Sequence, residues 1–505
     1  MEVLIGIDIG TYSVKATAIT SKGEWLGSTS SRHEISIPAP GYAEQDAEGV
    51  WWNGLVKVIH ELVGKGVFKT TDVKGIGVST LSPCVLPLDE NNQPLRPAIL
   101  YGIDVRAGKQ IVRFNRELGD NVVLQRYGQR MSSQTAGPKI LWIKENQPDI
   151  FQKARRFVPA TTYVIYRLTG RWTLDQYVAP SYAPFFRMDT MDWDQEMINR
   201  YIGKEDALCW PEILWPVDAA GGLKEEAARV LRLPVGIPVI TGSADALSEA
   251  VSGAAIQNGN LFIMYGSSII FIATTKETVK QSEMFWPSPG MVEGEWALAG
   301  GMSTAGSLVR WVMDEFYPEG VTYEDFFNKA RTSPPGSNGL VMLPYFSGER
   351  TPVSDPDARG IIIGLSLKHN LADISRAALE GVAYGIRHNV EEFEKILGEL
   401  KLAGAGGGVT DTLWTQIISD VCKKEQKIML NTNAAIGDAL MAGMGTGLFS
   451  REDMNELAIS IGKSKVILPN HKNFKIYDNQ YQIYKSLYGT TKELSHKLAE
   501  IWDGR

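Results

Sequence analysis

Cysteine is nearly absent from this chain of 505 residues: there are three, Cys84, Cys209 and Cys422, odd in number and far apart. That excludes a disulfide framework and a cysteine metal cluster, and it fits a reducing compartment. A basic surplus is missing as well. With 51 lysines and arginines against 58 aspartates and glutamates, the net charge is −7 and the pI about 5.6, which argues against general affinity for nucleic acid or for an anionic membrane surface. Long hydrophobic runs are lacking too. The longest, Leu261 to Ala273, is too short to cross a bilayer and is interrupted by Gly266, Ser267 and Ser268. The six histidines show no metal-ligand spacing. The opening MEVLIGIDIG enters a strand pattern at once, without a basic region or cleavage site, so no secretory signal is expected and the expected location is the cytoplasm.

What is present suits a large folded protein. Hydrophobic residues make up 44% and charged residues 22%, and since one core stops growing at about 250–300 residues, at least two domains are expected. Strand-like and helix-like segments alternate throughout, which predicts the α/β class. Residues 3–9 and 14–20 read as a hairpin around Gly10, Thr11, Tyr12 and Ser13. Trp51, Leu55, Ile59 and Leu62 then recur at helical spacing after a capping Asp46, and a strand is expected over 74–80. The same opening returns 256 residues later, where 261–265 and 269–274 flank Gly266, Ser267 and Ser268. This weak repeat predicts two similarly built domains, 1–250 and 251–505. Residues 286–290 and 333–338 read as surface connections, and 476–502 as a terminal amphipathic helix.

Each hairpin turn offers backbone N–H groups and hydroxyls at close approach, as phosphate oxygens require. Asp8 can hold a water of a Mg²⁺ ion and Lys15 can add positive charge. Ordinary hairpin turns have the same composition, so this reading stays open. The run Gly404 to Gly408 precedes a helix bearing Trp414, Ile417, Ile418 and Val421, and Glu425 lies about 20 residues on, as a dinucleotide fingerprint asks. Val409 stands where its third glycine belongs, which leaves an unspecified nucleotide contact or a plain capping turn. Two further patterns fail. Gly462-Lys463-Ser464 lacks the earlier glycine of a phosphate-binding loop, where Leu457 stands. The stretch from Gly301 to Ala305 lacks the last glycine of a nucleophile elbow. Asp245 follows a strand pattern and a Gly-Ser-Ala turn and opens a helix over 246–255. A carboxylate there can take a proton from a ligand hydroxyl at the carboxyl edge of a sheet, although a plain N-cap fits the residues better.

The segment GIIIGLSLKHNLADISRAALEG, residues 360–381, carries a resemblance to the FGGY carbohydrate kinases of the actin-like ATPase superfamily, and Lys139 to Ile143 match the later half of that family's other signature. Gln134 and Ala136 depart from its early positions. The resemblance implies two ribonuclease-H-like domains with a cleft between them, and ATP–Mg²⁺-dependent phosphorylation of a sugar or polyol hydroxyl. On this footing Asp245 falls on the catalytic base, and Thr11, Ser13 and Lys15 match the first phosphate hairpin, with Asp8 holding Mg²⁺ through water. Gly266 and Ser267 match the second hairpin, Gly306 a nucleotide contact, and Gly407 and Asp411 the adenosine site. The stretches 41–52, 300–311 and 343–360 look closest to the xylulokinases within the family. Ser82-Pro83 departs from the Met-His pair of xylulokinases and the Arg-Glu pair of glycerol kinases, so the sugar stays open. Asp104 and Arg106 are candidate partners for sugar hydroxyls, or else a surface ion pair. No nucleic-acid or membrane partner is expected, and a homodimer is the assembly to test. The rivals from other classes are an actin-like or chaperone-like ATPase without a sugar substrate and a nicotinamide-dependent oxidoreductase.

Overall fold

The segment VLIGIDI alternates branched residues with Leu4, Gly6 and Asp8, and it folds as the strand Val3–Ile9, buried along its whole length. Burial on both faces needs a cover on each side. On one side Val3, Ile5, Ile7 and Ile9 join Leu55, Val58, Ile59 and Leu62 of the helix Asn53–Gly64 in one apolar core. On the other, the helix Ala434–Gly445 comes so near that a Cβ on Gly6 would stand 1.8 Å from the Ala435 carbonyl oxygen. The strand Val73–Thr80 repeats the device. Ile76 and Val78 enter the same core, while a Cβ on Gly77 would stand 2.0 Å from the Asp438 carbonyl oxygen.

The computed structural model describes residues 1–203, 208–409 and 411–503. The chain forms two units. One comprises Met1–Ala254 with Lys276–Ala297 and Asn433–Ile461; the other comprises Ala255–Thr275, Leu298–Thr432 and the chain from Gly462 onward. In the first unit the sheet order is Ala219–Gly222, Pro238–Ile240, Val73–Thr80, Val3–Ile9, Ser13–Thr20, Trp25–Arg32, with the short strand Ser243–Ala244 beside Val73–Thr80. The first three strands of the chain run antiparallel, and Val73–Thr80 lies parallel to the first. Asp8 therefore stands between Lys15 on one neighbour and Ser79 on the other.

The other sheet runs in the order Trp286–Pro289, Trp296–Met302, Ile269–Thr275, Asn260–Tyr265, Lys401–Ala405, Gln426–Met429, Ser464–Ile467. With the edge strand Trp286–Pro289 set aside, the sequence order across the centre of both sheets is third, second, first, fourth, so the repeat seen in the sequence is a repeat of ribonuclease-H-like topology, and the α/β class holds. The 27-residue helix Leu371–Leu397 starts from Asn370, whose side chain caps Ala372 N while Asp373 bonds back to Asn370 N. The terminal helix runs Phe474–Asp503, close to the expected 476–502. One expectation fails: Trp286–Pro289 is a strand and not a connection. It lies at a sheet edge, the position in a sheet where prolines such as Pro287 and Pro289 are tolerated.

Candidate functional site

The first hairpin turn is closed by a bond from Gly10 N to Ser13 O of 2.9 Å and pinned from outside. Gln45 Nε2 donates to the Thr11 carbonyl at 2.8 Å, and Trp51 Nε1 donates to Gln45 Oε1 at 2.8 Å, so a buried indole fixes the turn. The Thr11 hydroxyl lies 2.8 Å from that of Tyr101. Beside the turn is a cavity of about 700 Å³ lined by Tyr12, Ser13, Lys15, Ser30, Arg32, His33 and Glu34. Lys15 and Arg32 bring positive charge to this lining, as an anion would require, against the one acid Glu34, while burial holds His33 below its ordinary range.

Behind the hairpin sits a group of carboxylates. Asp8 is buried, and burial pushes its carboxyl up to about 6, with Lys15 and the Ser79 hydroxyl opposing. Asp245 is half-buried at the first position of the helix Asp245–Ser252. The N-cap is Ala244, and the Asp245 carboxylate accepts from Ala246 N at 2.8 Å, so the plain cap considered from the sequence is not what this residue forms. Burial first, then the charge of Asp8, push Asp245 up to about 8. One turn further on, burial and Asp8 push Glu249 up to about 7. Asp438, fully buried on the covering helix, is held well above the usual carboxylate range chiefly by burial, and its oxygens accept from Ser79 Oγ at 2.8 Å and Ser248 Oγ at 2.7 Å. Negative groups thus outnumber Lys15, an environment that favours a bound cation or a retained proton.

This arrangement has a pH signature. A carboxyl whose folded pKa is raised binds more protons folded than unfolded, so its stabilising contribution is complete near pH 4 and is lost as pH rises through the folded value. Between about pH 7 and 8, above the histidine range, the melting temperature of the nucleotide-free protein is expected to fall as Asp245 and its neighbours ionise. Lys139, pushed down to about 8 by burial, begins to oppose this as pH 8 is approached, so the fall is steepest near pH 7. Asp245→Asn is expected to flatten the fall over that interval. A wild-type melting temperature that rises there would contradict the desolvation of this cluster.

The other candidates in the first unit lie on two features. Ser82 Oγ is 3.4 Å from Thr80 Oγ1, which is 2.6 Å from Thr161 Oγ1; Thr161 donates to the Ser243 carbonyl at 3.2 Å, and Ser243 Oγ donates to Asp175 Oδ1 at 2.8 Å. A chain of hydroxyls therefore leads from Ser82 to within two residues of Asp245. Asp104 and Arg106 are not at the surface: their side chains are 0% and 1% exposed and pair at 2.7 Å. Asp104 also accepts from Ala43 N, and Arg106 reaches Glu44 at 2.7 Å and lies over the Tyr42 and Trp142 rings. This buried lock differs from the surface ion pair allowed by the sequence.

In the second unit, Gly266 and Ser267 turn between Asn260–Tyr265 and Ile269–Thr275. Ser267 O accepts from Ala305 N at 2.9 Å, Ser307 N at 3.0 Å and Ser307 Oγ at 2.8 Å, while Gly306 N donates to Gly266 O at 3.1 Å. A Cβ on Gly306 would lie 2.7 Å from Gly266 O, so this pair packs backbone to backbone at the start of the helix Gly306–Phe316. Gly407 opens a tight turn, and a Cβ there would meet nothing within 4 Å. Asp411 caps the helix Thr412–Cys422 through Leu413 N at 2.7 Å and grips Arg331 with both oxygens at 2.7 Å.

Sequence reasoning missed Asp438, Ser79, Ser248 and Asp175. A signal for the first was available: Asp438 is the lone charge in AAIGDALMAGMG, a helix otherwise made of small and apolar residues. An acid in such surroundings needs buried partners. Ser79 and Ser248 carry no sequence signal of their own.

Two family models cover most of the chain. The N-terminal domain of the FGGY family of carbohydrate kinases matches residues 3–252, and the C-terminal domain of that family matches residues 261–446. A xylulose kinase of Lactococcus lactis is 28% identical over all of both chains. A gluconokinase of Bacillus subtilis is 24% identical over 99% of this chain and 98% of its own. The crystal structure of xylulose kinase from Rhodospirillum rubrum superposes with a TM-score of 0.90 at 26% identity, covering 98% of this chain and 100% of the other.

Proposed function

Because the chain belongs to the FGGY family of carbohydrate kinases and is a sugar kinase, we propose that it transfers the γ-phosphoryl group of ATP to a hydroxyl of a ketopentose, xylulose before others. Membership implies the use of ATP and sets aside the ATPase and nicotinamide readings. The xylulose kinase relative matched from end to end supports the substrate. The observation that carries the mechanism is Asp245, half-buried at a helix start and desolvated until its pKa is about 8. A general base works best with a pKa near the working pH.

Each residue then has a task. Asp245 takes the proton of the attacking hydroxyl. Thr11, Ser13 and Lys15 on the first turn, and Gly266 and Ser267 on the second, hold phosphate oxygens through N–H groups, hydroxyls and one ammonium. Gly306, Gly407 and Asp411 border the nucleoside; the open space beside Gly407 suits close approach of a ligand. Ser82 meets the sugar, and the Asp104–Arg106 lock stiffens the wall behind it. The proposed division is 1–250 for sugar and first hairpin and 251–505 for nucleotide.

Mg²⁺ fits the first unit. Asp8 is a buried carboxylate among other acids, yet among the described residues no three His, Cys, Asp or Glu side chains are grouped to chelate a metal directly. That suits an ion held by Asp8 through water, with phosphate oxygens completing its shell. Bound there, Mg²⁺ would neutralise charge on the phosphates. No described helix is long and apolar enough to cross a membrane, and a cytoplasmic location is part of this reading.

A panel of D-xylulose, D-ribulose, L-ribulose, gluconate and erythritol, each with ATP in a coupled ADP-release assay, tests the substrate. D-Xylulose is expected to give the highest kcat/KM. The Ser82-Pro83 departure keeps the sugar open and the gluconokinase relative favours gluconate as the second reading, and turnover with gluconate but no ketopentose would overturn the first.

A further inference from the structure

Two functional carboxylates of the first unit come from separate elements: Asp8 from the strand Val3–Ile9, Asp245 from the helix Asp245–Ser252. Both elements are tied to a third. Asp438 Oδ2 accepts from Ser79 Oγ at 2.8 Å, and Ser79 is the register partner of Asp8, with its hydroxyl 3.4 Å from Asp8 Oδ1. Asp438 Oδ1 accepts from Ser248 Oγ at 2.7 Å, and Ser248 lies one helical turn beyond Asp245. All three tethering residues are 0% exposed. The backbone brings them together: Cβ atoms added to Gly77 and Gly437 would stand 2.0 Å from Asp438 O and 1.9 Å from Ser248 O.

We infer that Asp438 is a positioning residue for phosphoryl transfer: its two oxygens fix the strand Val73–Thr80, the pairing neighbour of the strand that carries Asp8, and the helix that carries Asp245 relative to each other. The inference rests on the kinase reading above. Asp438 itself meets no substrate. Its effect reaches the reacting atoms through Ser79 and Ser248, so its loss should misplace the base while leaving the nucleotide turns as they are.

The substrate panel is run first on the wild-type protein, so failure of the kinase reading appears there and failure of this inference appears only in the variants. With the best sugar, Asp438→Ala is expected to lower kcat about 100-fold with KM for ATP changed less than about threefold, as partners behind a functional group commonly do. Asp438→Asn, of the same shape and able to accept from one serine and donate to the other, is expected to restore kcat to within about fivefold of wild type. Ser79→Ala and Ser248→Ala are each expected to lower kcat, and the double variant to cost less than the product of the two, because both act through one carboxyl. A folded Asp438→Ala protein with wild-type kcat would overturn the inference. If that variant fails to fold, the serine variants decide: reduced kcat at unchanged melting temperature supports it, and full kcat in both overturns it.

Discussion

Asp245→Asn is expected to lower sugar phosphorylation by about 10³-fold or more, near the upper end of what one general base contributes, while ATP affinity stays within about twofold. The substitution keeps shape. Its amide oxygen can still accept from Ala246 N, the bond the carboxylate makes at 2.8 Å, so the helix start is preserved. What it removes is the capacity to take the proton of the attacking hydroxyl. Where Asp245 is ionised, above about pH 8, the substitution also removes a negative charge beside Asp8, so nucleotide binding should not weaken. Initial rates in the coupled assay and titration calorimetry with ATP separate the two quantities. Normal turnover in a variant of confirmed sequence would remove Asp245 from the mechanism.

A large loss of stability is expected from one methyl group. Gly437→Ala would place a Cβ 1.9 Å from the Ser248 carbonyl oxygen, with further backbone atoms at 2.6 and 3.0 Å. Nothing nearby is a flexible side chain that can swing aside, so the helix Ala434–Gly445 must retreat from the helix Asp245–Ser252. Overpacking of this kind costs about 3 kcal/mol or more when backbone must move. Gly64→Ala is the contrast: it ends a helix, and its new Cβ would meet nothing within 4 Å, so a gain of up to about 1 kcal/mol is expected. Denaturant titrations of the two variants check the pair. Equal stabilities would mean that the close approach of the covering helix is not required.

How much of this was legible in the sequence depends on the range of the interactions. The strands, the hairpins and the terminal helix follow from alternation and helical spacing, which are local. The signature 360–381 announced the family through residues that build the fold. Asp373 accepts from Ser333 and Asn338, Glu380 from Gly336, Ser337, Arg376 and Tyr477, and a Cβ on Gly381 would stand 2.4 Å from Met342 O. Asp8 and Asp245 could be singled out because each sits at the end of a strand or the start of a helix. Asp438 was marked only as a lone charge in an apolar helix, and its task was not legible, because its partners lie 359 and 190 residues away in sequence. The Asp104–Arg106 pair was misjudged as possible surface decoration for the same reason: Ala43, Glu44, Tyr42 and Trp142, which bury it, come from elsewhere in the chain.

The return of Asn433–Ile461 to the first unit sets a timetable for synthesis. A nascent chain that has emerged to Ala254 already holds every strand of its first sheet, but the glycine-lined face of the two central strands stays bare until the helix Ala434–Gly445 follows about 180 residues later. At about 5–20 residues per second that is a wait of roughly 10–40 s on the ribosome. During that interval the exposed face is a place for chaperones to bind and for neighbouring nascent chains to stick, and a gene fragment ending near residue 254 would keep it exposed permanently.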